Sequence, residues 1–218
     1  MKGGILLEYP PVVVKVWGDY ACFTRPEMKV ERVSYEVMTP SAARGVLEAI
    51  FWKPEFTWRV RAIHVLKPIR HFSILRNEVS VRASPRSNGI DINECHTPRH
   101  TLGLRDVTYL IEADVEVAPG VAEDPAKYRD QFRRRVERGQ CFHRPYLGCR
   151  EFAADFGEPD GSERAIALTD ELGLMLLDIE YQEDGAHIPH FFNARLEEGV
   201  LHVPEVTFNL RPPKGGKA

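Results

Sequence analysis

Residues 39–54 constrain the chain most, because both ends of a helix are written into them. Thr39 can cap the first turn through its side-chain oxygen, and Pro40 falls at the first helical position, where a missing N–H costs nothing. Pro54 closes the far end, since the residue before a proline is driven out of the helical region. Between them Ala43, Val46, Leu47 and Ile50 recur at three- and four-residue spacing and make one apolar stripe. At about 100° per residue, Phe51 falls on the shoulder of that stripe, close to Arg44. The pattern predicts a helix with one buried face and with an aromatic and a cation at the border between core and surface.

The flanks read as strands. Val12, Val13, Val14 and Val16 give residues 12–17 a β-branched run around Lys15, ending in Trp17. Gly18 and Asp19 bend it, and residues 21–23 extend it. Residues 24–32 form a charged loop in which Arg25, Lys29 and Arg32 face Glu27 and Glu31, and residues 33–38 are a short extended piece. Residues 56–66 alternate, with polar positions at 57, 59, 61 and 64, as in a strand wet on one face. Residues 68–81 predict another strand with a turn. Residues 82–101 are rich in Ser, Pro, Asn and His without a period, and predict a flexible insertion. Residues 107–117 alternate again.

Asp124 and Pro125 repeat the cap-then-proline start and open a second helix. Tyr128, Phe132 and Val136 make its inner face, while Arg129, Arg133, Arg134, Arg135 and Arg138 crowd the rest and Gly139 ends it. A loop over residues 140–150, bracketed by Gly139 and Gly148, carries Phe142, His143, Arg144 and Tyr146. Residues 151–156 resume a strand. Residues 172–181, 191–196 and 200–203 predict a three-stranded antiparallel sheet, and residues 211–218 a loose end. Up to residue 156 the order is strand, helix, strand, long hairpin, strand, helix, strand, which is a split βαβ plan. The expected fold class is therefore α+β. A ferredoxin-like, RNA-recognition-like domain with a long hairpin insertion spans residues 1–156, and a small antiparallel sheet with a tail spans 157–218. That plan serves RNA-recognition modules and metabolic proteins alike, so function must come from the site.

Charge separates the two parts. Residues 1–150 carry 24 Lys+Arg against 18 Asp+Glu, whereas residues 151–218 carry 5 against 14. The basic part suits a polyanion, and the acidic part suits a different, protein-facing surface. The apolar run Ile5-Leu6-Leu7 is too short for a secretory leader, and nothing approaches the ~18 apolar residues of a membrane span, so a cytoplasmic protein with no membrane partner is expected. The cysteines, Cys22, Cys95, Cys141 and Cys149, form no CxxC pair and suit reduced thiols. His96 and His100 make the one HxxxH pattern and lie in the loose insertion. No metal constellation, Walker motif or GxSxG is present, so no cofactor is expected.

An RNA site needs cations for phosphates and flat groups for unstacked bases. The arginines of the second helix, with Phe142, His143, Arg144, Tyr146 and Arg150 of the loop, supply both. Lys127 stands in the first turn of its helix, where the dipole is positive and a lysine is disfavoured; a positive surrounding would favour its neutral amine and aim it at a bound anion. RNA cleavage without a metal suits such a chain. The RNA's own 2′-hydroxyl attacks the adjacent phosphorus, and the protein supplies a base, an acid and a cation.

Four blocks resemble a known family: Val16-Trp17-Gly18-Asp19-Tyr20-Ala21-Cys22-Phe23-Thr24, the helix over residues 38–54, His64-Val65-Leu66-Lys67-Pro68-Ile69, and Leu147-Gly148-Cys149-Arg150-Glu151-Phe152. They resemble the type I-C CRISPR-associated endoribonucleases, the D subtype of the fifth-numbered Cas proteins in the RAMP superfamily, over residues 12–204. The resemblance implies binding of the CRISPR repeat hairpin and its single-stranded flank, and metal-independent cutting at the 3′ base of the hairpin. It also implies retention of the 5′ handle of the crRNA within the type I-C surveillance complex, whose other subunits are the expected protein partners. The family's proposed catalytic set is a tyrosine late in the first helix, a lysine opening the second, and a histidine directly after it. Here those places hold Phe51, Lys127 and Tyr128, and His143 is the imidazole nearest in sequence order to stand in. The residues expected to bind RNA are Arg25, Lys29, Arg44, Trp52, Arg133, Arg134, His143, Arg144 and Arg150. A repeat-processing endoribonuclease is the first reading. A non-cleaving RNA-binding scaffold is the second, favoured by Phe51 and Tyr128. A ferredoxin-like enzyme of small molecules is a third, with no pocket motif behind it.

Overall fold

The computed structural model describes residues 9–82, 84, 89–182, 185–206 and 208. The valine run forms β1 (Val12–Ala21), with Val12, Val14 and Val16 turned into the core. Thr39 caps α1 (Pro40–Ile50) by accepting from the Ala42 N–H at 3.2 Å, and the chain leaves the helix at Phe51 in extended backbone. Next come β3 (Phe56–Val65), after the two-residue β2 (Arg32–Val33) that precedes α1, then β4 (His71–Val79) and the long β5 (His96–Val117). Asp124 caps α2 (Pro125–Glu137) through the Ala126 N–H at 2.8 Å, and β6 (Asp155–Gly157) follows.

Four of these strands lie in the order β6-β1-β5-β3, each neighbour antiparallel. Both helices pack on one face of them. The Trp58 ring lies 4.7 Å from Phe132 of α2, and Leu47 and Ile50 of α1 join the same core. The opposite face carries the wet positions expected in residues 56–66. His64 pairs with Glu112 at 2.8 Å, and Arg61 pairs with Asp114.

The C-terminal strands continue this sheet. β9 (Val200–His202) pairs with β3, and β8 (His187–Glu197) and β7 (Asp170–Tyr181) follow outward. The sheet curls far enough for β7 to return to α1: the Leu176 N–H donates to the Tyr35 hydroxyl at 3.3 Å, and Asp178 holds Arg44. α1 is thus covered on two sides, mostly antiparallel β structure wrapping it.

The expected insertion differs from its reading. Residues 96–101 are already strand, paired with β4 from Val79↔His96 to His71↔Leu104. Residues 83 and 85–88 lie outside the described residues. This hairpin extends beyond the core, and Ile74, Leu75 and Val79 are exposed on it. Exposure along residues 96–103 alternates, but the more covered face carries Thr97, Arg99, Thr101 and Gly103, so no apolar period of two shows in the sequence. Among the described residues no helix is long and apolar enough to cross a membrane.

Candidate nucleic-acid interface and reaction centre

The loop over residues 139–150 lies along α1. The Phe142 and His143 N–H groups both donate to the Ala49 carbonyl, at 2.8 and 3.2 Å, which fixes the loop's start at the C-terminal end of α1. Farther on, Tyr146 and Gly148 reach the other end of α1 and close a cavity of about 280 Å³ with Thr24, Thr39, Ser41 and Gly45. Gly148 is required there. Its φ is +83°, and a Cβ on it would lie 2.1 Å from the Cys22 carbonyl oxygen. Gly148→Ala is expected to lower stability by more than about 2 kcal/mol, through left-handed strain plus a backbone clash. A melting temperature within about one degree of the parent would contradict this close approach.

Flat groups and cations share this surface. Phe142 is 78% exposed and Trp52 50%, both at the C-terminal end of α1. Arg133, Arg134 and Arg138 are exposed on α2, and none forms an ion pair among the described residues; Arg134 Nε donates only to the Asp130 carbonyl, at 3.4 Å. Arg150 and Lys29 are likewise exposed and unpaired among the described residues. Arg144 is exposed but held by Asp155 at 2.7 Å. Arg25 is held by Glu36 at 2.9 Å and lies over the Tyr35 ring, 4.5 Å from its centroid.

Arg44 stands elsewhere. It is 8% exposed, with Nε and Nη2 donating to both carboxylate oxygens of Asp178 at 2.7 Å and Nη1 to Glu48 at 2.7 Å. Three carboxylate oxygens take its donors, so the expectation that it faces RNA phosphates is corrected: Arg44 is a structural ion pair inside the curl of the sheet. Burial opposes its charge, and Asp178 and Glu48 more than offset this, leaving its pKa above the usual arginine range.

Of the three positions expected to be catalytic, Phe51 and Tyr128 both pack against Phe56. The Phe51 ring centroid lies 5.5 Å from that of Phe56, which lies 5.0 Å from that of Tyr128, with Lys127 next in the chain. Phe51 is 1% exposed; its carbonyl accepts from Trp58 Nε1 at 2.8 Å, and the Arg135 guanidinium lies over its ring. Tyr128 is buried, at 2% exposed. Desolvation, followed by the nearby Glu55 and Glu123 charges, raises its hydroxyl above the ordinary phenol range.

Lys127 is open to solvent and pairs with Glu123 at 2.8 Å, one turn before it. That hydrogen bond holds its pKa above the ordinary lysine value. The Glu123 carboxylate thus opposes the effect of the helix dipole and favours the charged amine. His143 does not stand in beside it. The His143 N–H donates to the Ala49 carbonyl at the end of α1, its ring lies against Phe142, and its Nδ1 is 3.4 Å from the Arg144 carbonyl. Sequence reasoning missed Glu55. Its charge acts on both Lys127 and Tyr128, and its Oε2 is buried with no hydrogen-bond partner among the described residues. A lone acid between Pro54 and Phe56 gave no signal, because its partners lie on α2. Among the described residues no group of three His, Cys, Asp or Glu side chains could hold a metal ion.

A family model described as CRISPR-associated protein (Cas_Cas5) matches residues 12–204. The relative named CRISPR pre-crRNA endoribonuclease Cas5d from Thermus thermophilus is 48% identical over 208 residues, covering 88% of this chain and 90% of that protein. The one so named from Mannheimia succiniciproducens is 44% identical over 210 residues, covering 87% and 92%. A solved structure described as "Crystal Structure of CRISPR-associated Protein" is similar at a TM-score of 0.67 and 22% identity, covering 89% of this chain and 92% of that one. This last likeness concerns the fold.

Proposed function

The chain belongs to the CRISPR-associated Cas5 family, in its D subtype, and from that premise we propose that it cuts CRISPR repeat hairpins in precursor crRNA and keeps the 5′ handle. The observation that carries this reading is at the C-terminal ends of the two helices, which meet where Arg135 donates to the Ile50 carbonyl. Trp52 and Phe142 are exposed at the end of α1, and Arg133, Arg134 and Arg138 are exposed at the end of α2 and form no ion pair among the described residues. Exposed rings stack splayed bases, and free guanidinium groups replace the counterions of phosphates. Single-stranded flank lies along this surface, and the scissile phosphate sits at the start of α2.

There the RNA's 2′-oxygen bonds to phosphorus as the bond to the 5′-oxygen breaks, leaving a 2′,3′-cyclic phosphate and a 5′-hydroxyl. The Lys127 ammonium faces the negative charge that builds on the phosphorane. RNA binding must first uncover the Tyr128 hydroxyl and Glu55 Oε2, both buried here; the hydroxyl then donates a proton toward the leaving oxygen, and the carboxylate accepts the one from the 2′-hydroxyl. Phe51 has no proton to give and forms the wall behind them. This chemistry needs no metal.

We read the β6-β1-β5-β3 strands with α1 and α2 as a ferredoxin-like unit. Its support is the strand order, with the β1-α1-β3 and β5-α2-β6 connections interleaved in one antiparallel sheet. Residues 157–218 form the acidic part that meets other subunits of the type I-C surveillance complex in the cytoplasm. Photocross-linking of bound guide RNA should map to the first 156 residues; cross-links mainly beyond 156 would argue against that division. A non-cleaving scaffold is the second reading, favoured by the burial of Phe51 and Tyr128.

Binding tests the RNA site directly. Removing Arg133, Arg134 and Arg138 together should flatten the slope of log affinity against log salt by about 0.7 for each single-stranded phosphate that is no longer neutralised. An unchanged slope would place the RNA on another surface.

A further inference from the structure

Two of the blocks that resemble the family, residues 16–24 and 147–152, meet in space, and two cysteines lie where they touch. The Cys22 N–H donates to the Leu147 carbonyl at 3.0 Å, and the bare Gly148 backbone sits against the Cys22 carbonyl. This brings Cys149 over the end of β1. Thr24 Oγ1 is 3.5 Å from Cys22 Sγ and 3.9 Å from Cys149 Sγ. Arg32 Nη1 donates to Cys149 Sγ at 3.4 Å. As a thiol, Cys149 can donate to the Cys22 carbonyl at 3.5 Å.

The two sulfurs are not equivalent. Cys22 is fully buried, whereas Cys149 is partly open beside the cavity that Thr24, Tyr146 and Gly148 line. A thiolate at Cys149 would accept from Cys22, Thr24 and Arg32, and these hold its pKa below the ordinary thiol value. Its hydrogen bond to Cys149, with burial, pushes the Cys22 thiol up. Arg32 is shared with Glu78 and Glu151, each at 3.6 Å, which tempers its hold on the sulfur without replacing it. Neither cysteine has a part in binding or cutting RNA as described above. If packing were their only task, a guanidinium aimed at sulfur would be unneeded.

We propose that Cys149 and Cys22 form an oxidant-reactive dithiol site, with Cys149 as the attacking sulfur, Cys22 as the resolving one, and hydrogen peroxide as co-reactant. The Cys149 thiolate attacks the peroxide's outer oxygen, the O–O bond breaks, and the departing oxygen leaves as water once protonated. The resulting sulfenic acid meets the Cys22 thiol; an S–S bond forms and a second water leaves with the sulfenic oxygen and the Cys22 proton. Two thiols are oxidised and one peroxide is reduced. The product ties the end of β1 to the Gly148 turn, 127 residues away in the chain.

The test uses the full chain with Cys95→Ser and Cys141→Ser, so that only this pair remains of the four cysteines. It is treated with hydrogen peroxide near neutral pH, quenched with catalase and mapped by mass spectrometry. Both thiols should disappear together, with a peptide joining positions 22 and 149 that dithiothreitol releases. In the Cys22→Ser form, Cys149 should stop as a sulfenic acid trapped by a dimedone-type probe. In the Cys149→Ser form, Cys22 should survive. The folded chain should react about tenfold faster than the same chain in guanidinium, which holds the test even if a variant folds poorly. A folded chain that keeps both thiols, oxidises Cys149 without the cross-link, or reacts no faster than the unfolded one overturns the proposal.

Discussion

Replacing Lys127 with alanine is expected to slow single-turnover cleavage of the repeat hairpin by about 100- to 1000-fold, the usual cost of one charge-stabilising donor. Hairpin affinity should change much less, because the arginines of α2 and the exposed rings lie elsewhere. The size of the effect follows from what surrounds the ammonium. Glu123 keeps it protonated, with its pKa above the ordinary lysine range, so the charge is present throughout neutral pH and is lost only as pH climbs beyond that range. Lys127→Arg should restore part of the rate, since it keeps the charge and alters the reach. A fall in affinity that accounts for the whole loss of rate would make Lys127 a binding residue only. Glu55→Gln separates the roles further: it should lower the rate with hairpin affinity kept, and an unchanged rate would remove Glu55 from the reaction.

The second large effect concerns folding. Asp178→Ala removes one side of a buried pair and leaves the Arg44 guanidinium with Glu48 alone. Breaking a buried pair costs about 3–5 kcal/mol, and the remaining carboxylate puts this case near 3 kcal/mol. The melting temperature should drop by roughly 6–12 °C for a chain of this size. Replacing Arg44 and Asp178 together by Met and Leu should recover most of that loss, since no charge is then left uncompensated. RNA affinity of the double variant should stay within about twofold of the parent. A larger fall in affinity in a fully folded double variant would return Arg44 to the RNA site.

Local signals were legible and distant ones were not. The caps Thr39 and Asp124, each followed by proline, mark both helix starts, because capping involves only neighbours in the chain. Arg44 reads from sequence as a border residue, because its other neighbour, Asp178, arrives on β7 from 134 positions away. β4 falls within the strand expected over residues 68–81, but the start of β5, residues 96–101, reads as a loose insertion because its more covered face carries Thr97, Arg99 and Thr101 and displays no apolar alternation. At the reaction centre, the clustering of Phe51, Lys127 and Tyr128 came from the resemblance and not from spacing. The Lys127 environment reads from sequence as positive because the helix dipole is weighed there without Glu123, one turn upstream. Glu55 was invisible for the same reason as Arg44: what makes it notable is contributed by another element.

The most direct measurement incubates the purified chain, in excess over RNA and in EDTA, with an end-labelled RNA carrying the repeat of its own CRISPR array. One cut at the 3′ base of the hairpin is expected, with a 2′,3′-cyclic phosphate on the upstream fragment and a 5′ handle that stays bound after cutting. RNA that binds tightly and remains intact, or that is cut only when a divalent metal is restored, would contradict this.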